Sequence, residues 1–369
     1  MKFLIVQFLW LALNVSAFRT SIRNMNKPES RKVIPSAVFS GNVVANTIST
    51  NANLDGPQLS AVNSSSYEWW YFDAVSQDLK SAITIVFYTA LASGFGFIPS
   101  ISNVTVVGVD FLFPNGTTSS IELTATEVVI TTIDQGSSAV YKDTGAGWHG
   151  APDLSCYKVK INAPEYGVVG TFELKSIAPA HYSCGSAEAG QRMMVAPNIG
   201  WSNAIPDAVG DVDFHVNGEK YSFQGNAYHD HNWGSQPFQN NVAQEHWGRG
   251  RLGEYSLVWS TVVAPDGTNY STVYVAANDK IITASCDPKS FSITPIPVNG
   301  DPIKGTLTGY ELKLDLGEGM TLDFNVTIIE TVSNAAPVYM RWTGSIAGSV
   351  SGGKVITDGV ATFEEFNLS

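Results

Sequence analysis

The sequence predicts an all-β protein built from antiparallel sheets. Its polar content is dominated by Ser, Thr, Asn and Gly, and charged residues make up only 15% of the chain. β-branched and aromatic residues recur in short runs that end at turn-forming residues, a pattern typical of strands rather than helices. Many short strands without crossover helices indicate antiparallel sheets that close into barrels or sandwiches.

The N-terminus has the features of a secretory signal peptide over residues 1–17. Lys2 supplies a positive start, residues 3–13 form a short apolar run, and Val15 and Ala17 are small residues at the positions that precede cleavage. The run is too short to span a bilayer, and no later segment has the ~20 apolar residues of a membrane helix. We therefore expect a secreted or lumenal protein without a membrane span. A mitochondrial presequence would place its arginines before the apolar run, not after it.

Charge excludes one class of partner. The formal net charge is −12, and removing the +1 of Lys2 with the signal peptide makes it −13. An acidic chain repels phosphate backbones and anionic membranes, so we expect no nucleic-acid partner. The basic residues between 19 and 32 lie in a polar stretch that we expect to form a flexible arm over residues 18–50.

Predicted strands follow in both halves of the mature chain. The clearest runs are residues 82–90, 104–113, 121–133, 255–264, 270–276, 310–316 and 320–330. Turn sequences at 114–116, 265–268 and 317–319 separate several of them, because Pro presets one dihedral and Gly permits positive φ. A chain of this length exceeds what one hydrophobic core fills, so we expect two domains. The Pro- and Gly-containing stretch 197–210 suggests a division into residues 51–210 and 211–369.

Cysteines and sequons describe a protein of the secretory pathway. The three cysteines predict one disulfide and one free thiol. We expect Cys156 to pair with Cys184, because both lie in the same half and close a loop of ~30 residues, which leaves Cys286 free. Six sequons follow the signal peptide, and several are expected to carry glycans at surface positions: Asn63, Asn103, Asn115, Asn269, Asn325 and Asn367.

The first segment that carries chemistry is Ser-Tyr-Glu-Trp-Trp-Tyr-Phe-Asp at residues 66–73. As a strand it places one set of side chains on each face: Glu68, Trp70 and Phe72 on one, and Trp69, Tyr71 and Asp73 on the other. Whichever face points inward, a carboxylate enters aromatic surroundings and needs hydrogen-bond donors. Glu68 is therefore a candidate catalytic acid. The alternative is an aromatic core in which Glu68 is tied to a partner.

The second segment is Tyr-His-Asp-His-Asn-Trp-Gly at residues 228–234. His229 and His231 share one face of a strand, while Asp230 lies on the other. Two imidazoles at this spacing could hold a metal together with Glu245 or His246, but we favour a hydrogen-bond network and expect no metal or cofactor. No motif for serine hydrolysis, zinc proteolysis or phosphate binding occurs, which argues against hydrolytic, phosphoryl-transfer and nicotinamide chemistry.

These two segments resemble those of the hydroxyneurosporene-synthase and AttH-like lipocalin superfamily, and within it the fungal Diels-Alderases that close decalin rings. The resemblance implies an N-terminal β-sandwich and a C-terminal lipocalin-like β-barrel with a pocket between them. By the same resemblance the pocket carboxylate is Glu68. A lysine that some relatives use to hold a carbonyl has Lys354 as its one candidate near the C-terminus. The signal peptide and sequons depart from the decalin-forming enzymes.

The resemblance implies a cofactor-free pericyclase that folds a linear polyene for a [4+2] closure, with rate gained from holding the reacting groups together. The expected catalytic residues are Glu68, His229, Asp230 and His231. The expected substrate-binding residues are Trp70, Phe72, Tyr228, Asn232, Trp233 and Trp247. One alternative is hydration or cyclisation of an isoprenoid chain, with Glu68 or Asp230 protonating an alkene. Another is a secreted, lipocalin-like carrier of an apolar small molecule.

Overall fold

The computed structural model describes residues 29–98, 103–298 and 307–369. The predicted signal peptide and residues 18–28 of the expected arm lie outside the described residues. The all-β prediction is confirmed, because no α-helix occurs within the described ranges, and Pro164–Tyr166 and Phe238–Asn240 are only short 3₁₀ turns. All described strand pairs are antiparallel, as the turn-rich sequence predicts.

The first sheet contains fifteen strands. They are β1 (Glu29–Pro35), β2 (Tyr67–Ser76), β3 (Ala82–Ala90), β4 (Thr105–Leu112), β5 (Thr118–Thr124), β6 (Glu127–Ile133), β7 (Gly136–Tyr141), β8 (Ala146–Gly150), β9 (Cys156–Ala163), β10 (Val168–Ser176), β11 (His181–Tyr182), β12 (Gly185–Ser186), β13 (Met194–Ala196), β14 (Ile199–Val216) and β15 (Glu219–Gly234). The main path is β1-β6-β7-β8-β9-β10-β14-β15-β2-β3-β4-β5. The two strands that carry the sequence motifs, β2 and β15, are therefore neighbours.

The second sheet contains nine strands. They are β16 (Gln244–Leu252), β17 (Tyr255–Val263), β18 (Asn269–Ala277), β19 (Lys280–Ser285), β20 (Phe291–Pro297), β21 (Leu307–Gly317), β22 (Met320–Ala335), β23 (Tyr339–Val350) and β24 (Ile356–Asn367). Their order is β19-β18-β17-β16-β24-β23-β22-β21-β20. The predicted hairpin at 265–268 joins β17 to β18, and the one at 317–319 joins β21 to β22.

The run at 121–133 is two strands, not one. It breaks after Thr124, so that β5 pairs with β4 while β6 pairs with β1 and β7. Part of the expected flexible arm is also ordered, because Glu29–Pro35 pairs along the whole of β6. A polar sequence can thus form an edge strand when its backbone finds a partner elsewhere in the chain.

The predicted domain division after Gly210 is wrong. Strand β14 continues from Ile199 to Val216, and the chain changes sheets between Gly234 and Gln244. The residues that suggested a linker have local roles inside β14. Pro206 lies where the register with β15 shifts between Ile205 and Ala208, and such an irregularity is where a strand accommodates proline.

The disulfide prediction is also wrong. Cys184 pairs with Cys286, across 102 residues, and Cys156 is free and exposed. Cys156 begins β9 on the outer side of the first sheet, whereas Cys184 lies between β11 and β12, next to the end of β19. The disulfide therefore links the first sheet to the second.

The sequons differ in exposure. Asn115, Asn269 and Asn325 are exposed, as the surface prediction requires, whereas Asn63 and Asn103 are half-buried. Asn367 is buried, with 7% of its surface exposed. The expectation of a surface position is therefore wrong for Asn367. Occupancy of the other sequons stays a prediction.

Candidate active site

A cavity lies between the two sheets. We call it the inner cavity, and its wall includes Trp69 of β2, Asp230 of β15, Trp201 of β14, and Glu245 and Trp247 of β16. About 500 Å³ of space lies between its wall atoms, a figure that includes space open to solvent. The position between two β-units is the one that the resemblance implied.

A wider space adjoins the inner cavity. We call it the outer cleft; its empty volume is about 1170 Å³, and Trp69, Tyr71, Glu364 and Phe366 border both spaces. The residues that line only the outer cleft include Tyr88, Phe95, Phe97, Asp110, Tyr339 and Arg341. The two spaces therefore lie next to each other, on either side of the same four side chains.

Asp230 is held by three donors. Its Oδ2 accepts hydrogen bonds from Trp201 Nε1 at 2.9 Å and the Tyr228 hydroxyl at 2.8 Å, and its Oδ1 accepts one from Asn232 Nδ2 at 2.8 Å. Burial raises the pKa of Asp230 to about 7 despite the lowering effect of the Trp201 and Tyr228 hydrogen bonds. Since Oδ1 accepts fewer hydrogen bonds than Oδ2, Oδ1 is the oxygen better placed to carry a proton.

Glu245 is a second acid in the same cavity. It keeps a small solvent-facing surface but is surrounded by protein, and burial raises its pKa to about 8, with the negative charges of Glu364 and Asp230 adding to the effect. Its Oε1 lies 3.5 Å from the Ser260 hydroxyl. At neutral pH both Asp230 and Glu245 therefore hold a proton in a substantial fraction of molecules, and each can donate it.

Glu364 stands at the boundary of the two spaces, bound to cationic and hydroxyl donors. Its Oε2 accepts hydrogen bonds from Arg341 Nε at 3.0 Å, Arg341 Nη2 at 2.9 Å and the Tyr339 hydroxyl at 2.8 Å. The Arg341 guanidinium also lies over the Tyr71 ring, 5.0 Å from its centroid. These contacts fix a carboxylate and a guanidinium beside the aromatic walls.

The predicted catalytic residues Glu68, His229 and His231 lie on the back face of β2 and β15, away from the inner cavity. His231 Nε2 is 3.0 Å from Glu68 Oε1, and His229 Nε2 is 3.0 Å from Asp55 Oδ1. The His231 ring stacks on Trp70 at 4.3 Å between ring centroids, and the His229 ring stacks on Phe72 at 3.9 Å. All of these side chains are fully buried in the first sheet's core. His231 is hydrogen-bonded to Glu68, and His229 Nδ1 is hydrogen-bonded to the Tyr71 carbonyl, so both histidines belong to a buried polar network.

Strand alternation divides the predicted substrate-binding residues in the same way. Asn232 and Trp247 line the inner cavity, and Tyr228 lies behind it, its ring 5.2 Å from that of Trp247. The expected cavity-wall role is wrong for three residues that belong to the core of the first sheet: Trp70, Phe72 and Trp233. Trp233 instead packs against Gly200, where a Cβ atom would come within 2.2 Å of its ring.

Several cavity residues escaped the sequence reasoning. Alternation along β2 correctly places Trp69 and Tyr71 on the face opposite Glu68. The carboxylate of the motif, however, suggests the face that does not line the inner cavity. The sequence suggests Glu245 only as a metal ligand and gives no signal for Trp201, Glu364 or Arg341. No local sequence pattern marks these residues. They lie on β14, β16, β23 and β24, which come together only in the folded chain.

Metal binding finds no support in the placement of the histidines. Glu245 lines the inner cavity whereas His229 and His231 face the opposite side of β15. Across residues 29–98, 103–298 and 307–369, no three His, Cys, Asp or Glu side chains are grouped so that they could hold a metal ion. In the same ranges no helix is long and apolar enough to cross a membrane.

A model of the family described as Diels-Alderase-like matches residues 33–293. The chain belongs to the Diels-Alderase-like family. Quinolone epoxide rearrangement protein penF of Penicillium thymicola is 35% identical over 345 residues, covering 90% of this chain and 94% of the relative. Quinolone epoxide rearrangement protein asqO of Emericella nidulans is 33% identical, covering 86% of this chain and 87% of the relative. The relatives include Diels-Alderases, among them cheD of Chaetomium globosum at 23% identity over 70% of this chain and 63% of the relative.

Solved structures share the fold. CghA crystallised with Sch210972 superposes with a TM-score of 0.77 at 17% identity, covering 92% of this chain and 99% of the other. An AttH-like protein from Nitrosomonas europaea gives a TM-score of 0.52 at 16% identity, covering 82% and 93%. The predicted kinship with fungal Diels-Alderases is confirmed by the family model and the relatives, and the AttH-like structure shares the fold. Because the relatives are rearrangement enzymes and Diels-Alderases, this Diels-Alderase-like protein is an enzyme of the cyclase or isomerase type.

Proposed function

We propose that this protein is an isomerase that rearranges an epoxide carried by a quinolone-type substrate, with acid catalysis in the inner cavity. The observation that carries the proposal is the pair of acids, Asp230 and Glu245, whose pKa values are raised to about 7 and 8 in an aromatic cavity. The names of the two relatives that are 35% and 33% identical suggest the substrate class. A polyene substrate stays an alternative.

Opening of an epoxide is accelerated when an acid protonates its oxygen. Protonated Asp230 gives its proton to the epoxide oxygen as a carbon–oxygen bond breaks, and the positive charge that develops on carbon faces the rings of Trp69 and Trp247. A neighbouring bond then migrates to that carbon, and the Asp230 carboxylate takes up the proton that the product releases. Atoms and charge are conserved, so substrate and product are isomers.

The hydrogen bonds to Asp230 suit both halves of this cycle. The donors Trp201, Tyr228 and Asn232 stabilise the carboxylate that remains once the proton has left. Burial favours the neutral acid that is needed before transfer. A pKa near the working pH lets one residue act as acid and then as base.

The test is turnover of a quinolone bearing an epoxide side chain, followed by liquid chromatography and mass spectrometry. We expect the purified enzyme to form a product of unchanged mass, and Asp230→Asn to lower kcat by ~10²–10⁴-fold, because the amide donates no proton to the oxygen. Asp211→Asn, at an exposed position of β14, is the matched control. An Asp230→Asn enzyme with unchanged kcat would contradict the proposal.

A [4+2] cyclase is the second candidate, favoured by the Diels-Alderases among the relatives and by the aromatic walls of the inner cavity. Such a closure transfers no proton, since shape and orientation supply the rate. With a linear polyene as substrate, Asp230→Asn would then leave kcat nearly unchanged, whereas Trp247→Ala would alter yield or stereochemistry. The two candidates therefore give opposite results for Asp230→Asn.

A further inference from the structure

We propose that the outer cleft binds the edge of a lactam ring, with Arg341 donating a hydrogen bond to the ring carbonyl and Asp110 accepting one from the ring N–H. The inference rests on the proposed function, because it places the heteroaromatic ring in the outer cleft and the epoxide in the inner cavity. It narrows the substrate class to rings in which C=O and N–H are adjacent.

Arg341 has one hydrogen-bond donor, Nη1, that is held in position but makes no hydrogen bond within the described part of the protein. Its Nε and Nη2 both bind Glu364, whereas Nη1 approaches only Asp110 Oδ2, at 3.8 Å. That distance is beyond a hydrogen bond, so the Nη1 protons are available to a ligand. The guanidinium is fixed between the Tyr71 and Tyr339 rings, 5.0 and 5.5 Å from their centroids, and the side chain is only 8% exposed.

Asp110 offers the matching acceptor. Its Oδ1 accepts the Ser120 hydroxyl at 2.6 Å, while Oδ2 has only a long contact with the Ser333 hydroxyl at 3.4 Å besides Arg341. The Asp110 side chain is 29% exposed and lines the outer cleft. A donor and an acceptor thus stand side by side, each incompletely used, on the wall of one cleft.

A lactam edge is the complement of this pair. Its C=O and N–H lie next to each other and point the same way, so both can bond at once to Arg341 Nη1 and Asp110 Oδ2 at ordinary distances of ~2.8–3.0 Å. A ring whose N–H and C=O lie at opposite positions can use only one of them. N-methylation removes the donor and places a methyl group against the carboxylate.

The remaining walls fit a flat ring. Tyr88, Phe95, Phe97 and Tyr339 line the outer cleft, and the Phe97 and Tyr339 rings are 5.6 Å apart between centroids. Aromatic side chains provide broad apolar contact and favour stacked or edge-on rings. Since Tyr71 and Glu364 border both spaces, a ring bound in the outer cleft lies beside the wall of the inner cavity that contains Asp230.

The experiment uses three probes without an epoxide: quinolin-2(1H)-one, its N-methyl derivative and quinolin-4(1H)-one, titrated into the full-length enzyme by calorimetry. We expect quinolin-2(1H)-one to bind ~10–100-fold more tightly than the other two, the ratio for one charge-assisted hydrogen bond. Asp110→Ala, which removes the acceptor, should reduce that preference to less than threefold. Asp323→Ala, at a carboxylate on β22 paired with Lys313 outside the cleft, should retain it.

Equal affinity of the wild-type enzyme for all three probes would overturn the inference, and this result needs no variant that might fail to fold. Retention of the full preference by Asp110→Ala would overturn it as well. Because the probes cannot isomerise, their binding is independent of the acid chemistry. If the probes bind in the expected order while Asp230→Asn leaves turnover unchanged, the lactam subsite stands and the proposed function fails.

Discussion

At the scale of single residues, the proposed acid catalysis depends on what burial does to two carboxyl groups. Asp230 receives three hydrogen bonds, which favour its charged form, yet loss of water has the larger effect and raises its pKa to about 7. Glu245 has one weak hydrogen-bond partner and the nearby Glu364, and its pKa rises to about 8. An aromatic cavity can therefore keep acids neutral at physiological pH.

These two acids also predict how stability depends on pH. Their folded-state pKa values exceed the unfolded values, so the folded protein holds protons that the unfolded chain releases, and the free energy of unfolding should fall as pH rises from about 4 through 7 and 8. The loss should be on the order of a few kcal/mol between pH 5 and 9. Urea unfolding across that range measures it.

The variant for this prediction is Glu245→Gln, which cannot ionise. We expect a shallower decline of unfolding free energy between pH 6 and 9 than in the wild type, with the difference largest at pH 9. Glu311→Gln, at an exposed site on β21, serves as control. Parallel curves for Glu245→Gln and the wild type would mean that Glu245 is ionised in the folded protein at neutral pH.

At the scale of elements, β2 and β15 are two paired strands that perform different tasks on their two faces. The register places Trp233 opposite Glu68 and Asp230 opposite Tyr71. The front face meets the second sheet around the inner cavity, and the back face joins Glu68 to His231 and His229 to Asp55 in the core. The back-face contacts hold the strands whose front side chains line the inner cavity.

This division predicts that Glu68 supports stability more than catalysis. Glu68→Ala leaves His231 Nε2 and the Gln58 backbone N–H without their acceptor, so the free energy of unfolding should fall by ~2–4 kcal/mol. The kcat of the folded fraction should change less than in Asp230→Asn. Denaturant unfolding and turnover at low temperature measure the two effects, with Glu311→Ala as control. A folded Glu68→Ala enzyme with kcat reduced as far as in Asp230→Asn would restore Glu68 as a catalytic residue.

At the scale of the molecule, the cavity exists because two sheets are held together. Beyond the aromatic cluster between them, they are joined by the Cys184–Cys286 disulfide and by an ion pair between Arg251 and Asp207 at 2.6 Å. The His181 ring stacks on Tyr274 at 3.9 Å and meets Trp201 edge-on at 5.2 Å. The contacts beside the disulfide thus reach the tryptophan that binds Asp230.

Removal of the disulfide should weaken the attachment of the first sheet to the second. For a double Cys184→Ser and Cys286→Ser variant we expect the free energy of unfolding to fall by ~2–4 kcal/mol, since the unfolded chain regains the freedom of a long loop. Cys156→Ser, which alters an exposed free thiol, should leave it unchanged. Thermal unfolding of both variants under non-reducing conditions is the measurement. Equal stability of the double variant and the wild type would show that the other contacts hold the sheets.

The sequence by itself determined the class of fold, the hairpins and the two faces of the motif strands. These depend on local rules: alternation along a strand, and turn residues between strands. It also placed Asp230 and Asn232 opposite His229 and His231. Two motif segments were enough to indicate the superfamily, because each is long and they occur in order.

Only the tertiary structure decided which face of β2 and β15 meets the cavity. That depends on Glu245, Trp247 and Glu364, which the second sheet brings from far along the chain. The pairing of Cys184 with Cys286 and the continuation of β14 past Gly210 were decided in the same way. Alternation along a strand assigns side chains to its two faces. Only packing between distant strands determines which face lines a cavity and which face is buried in a filled core.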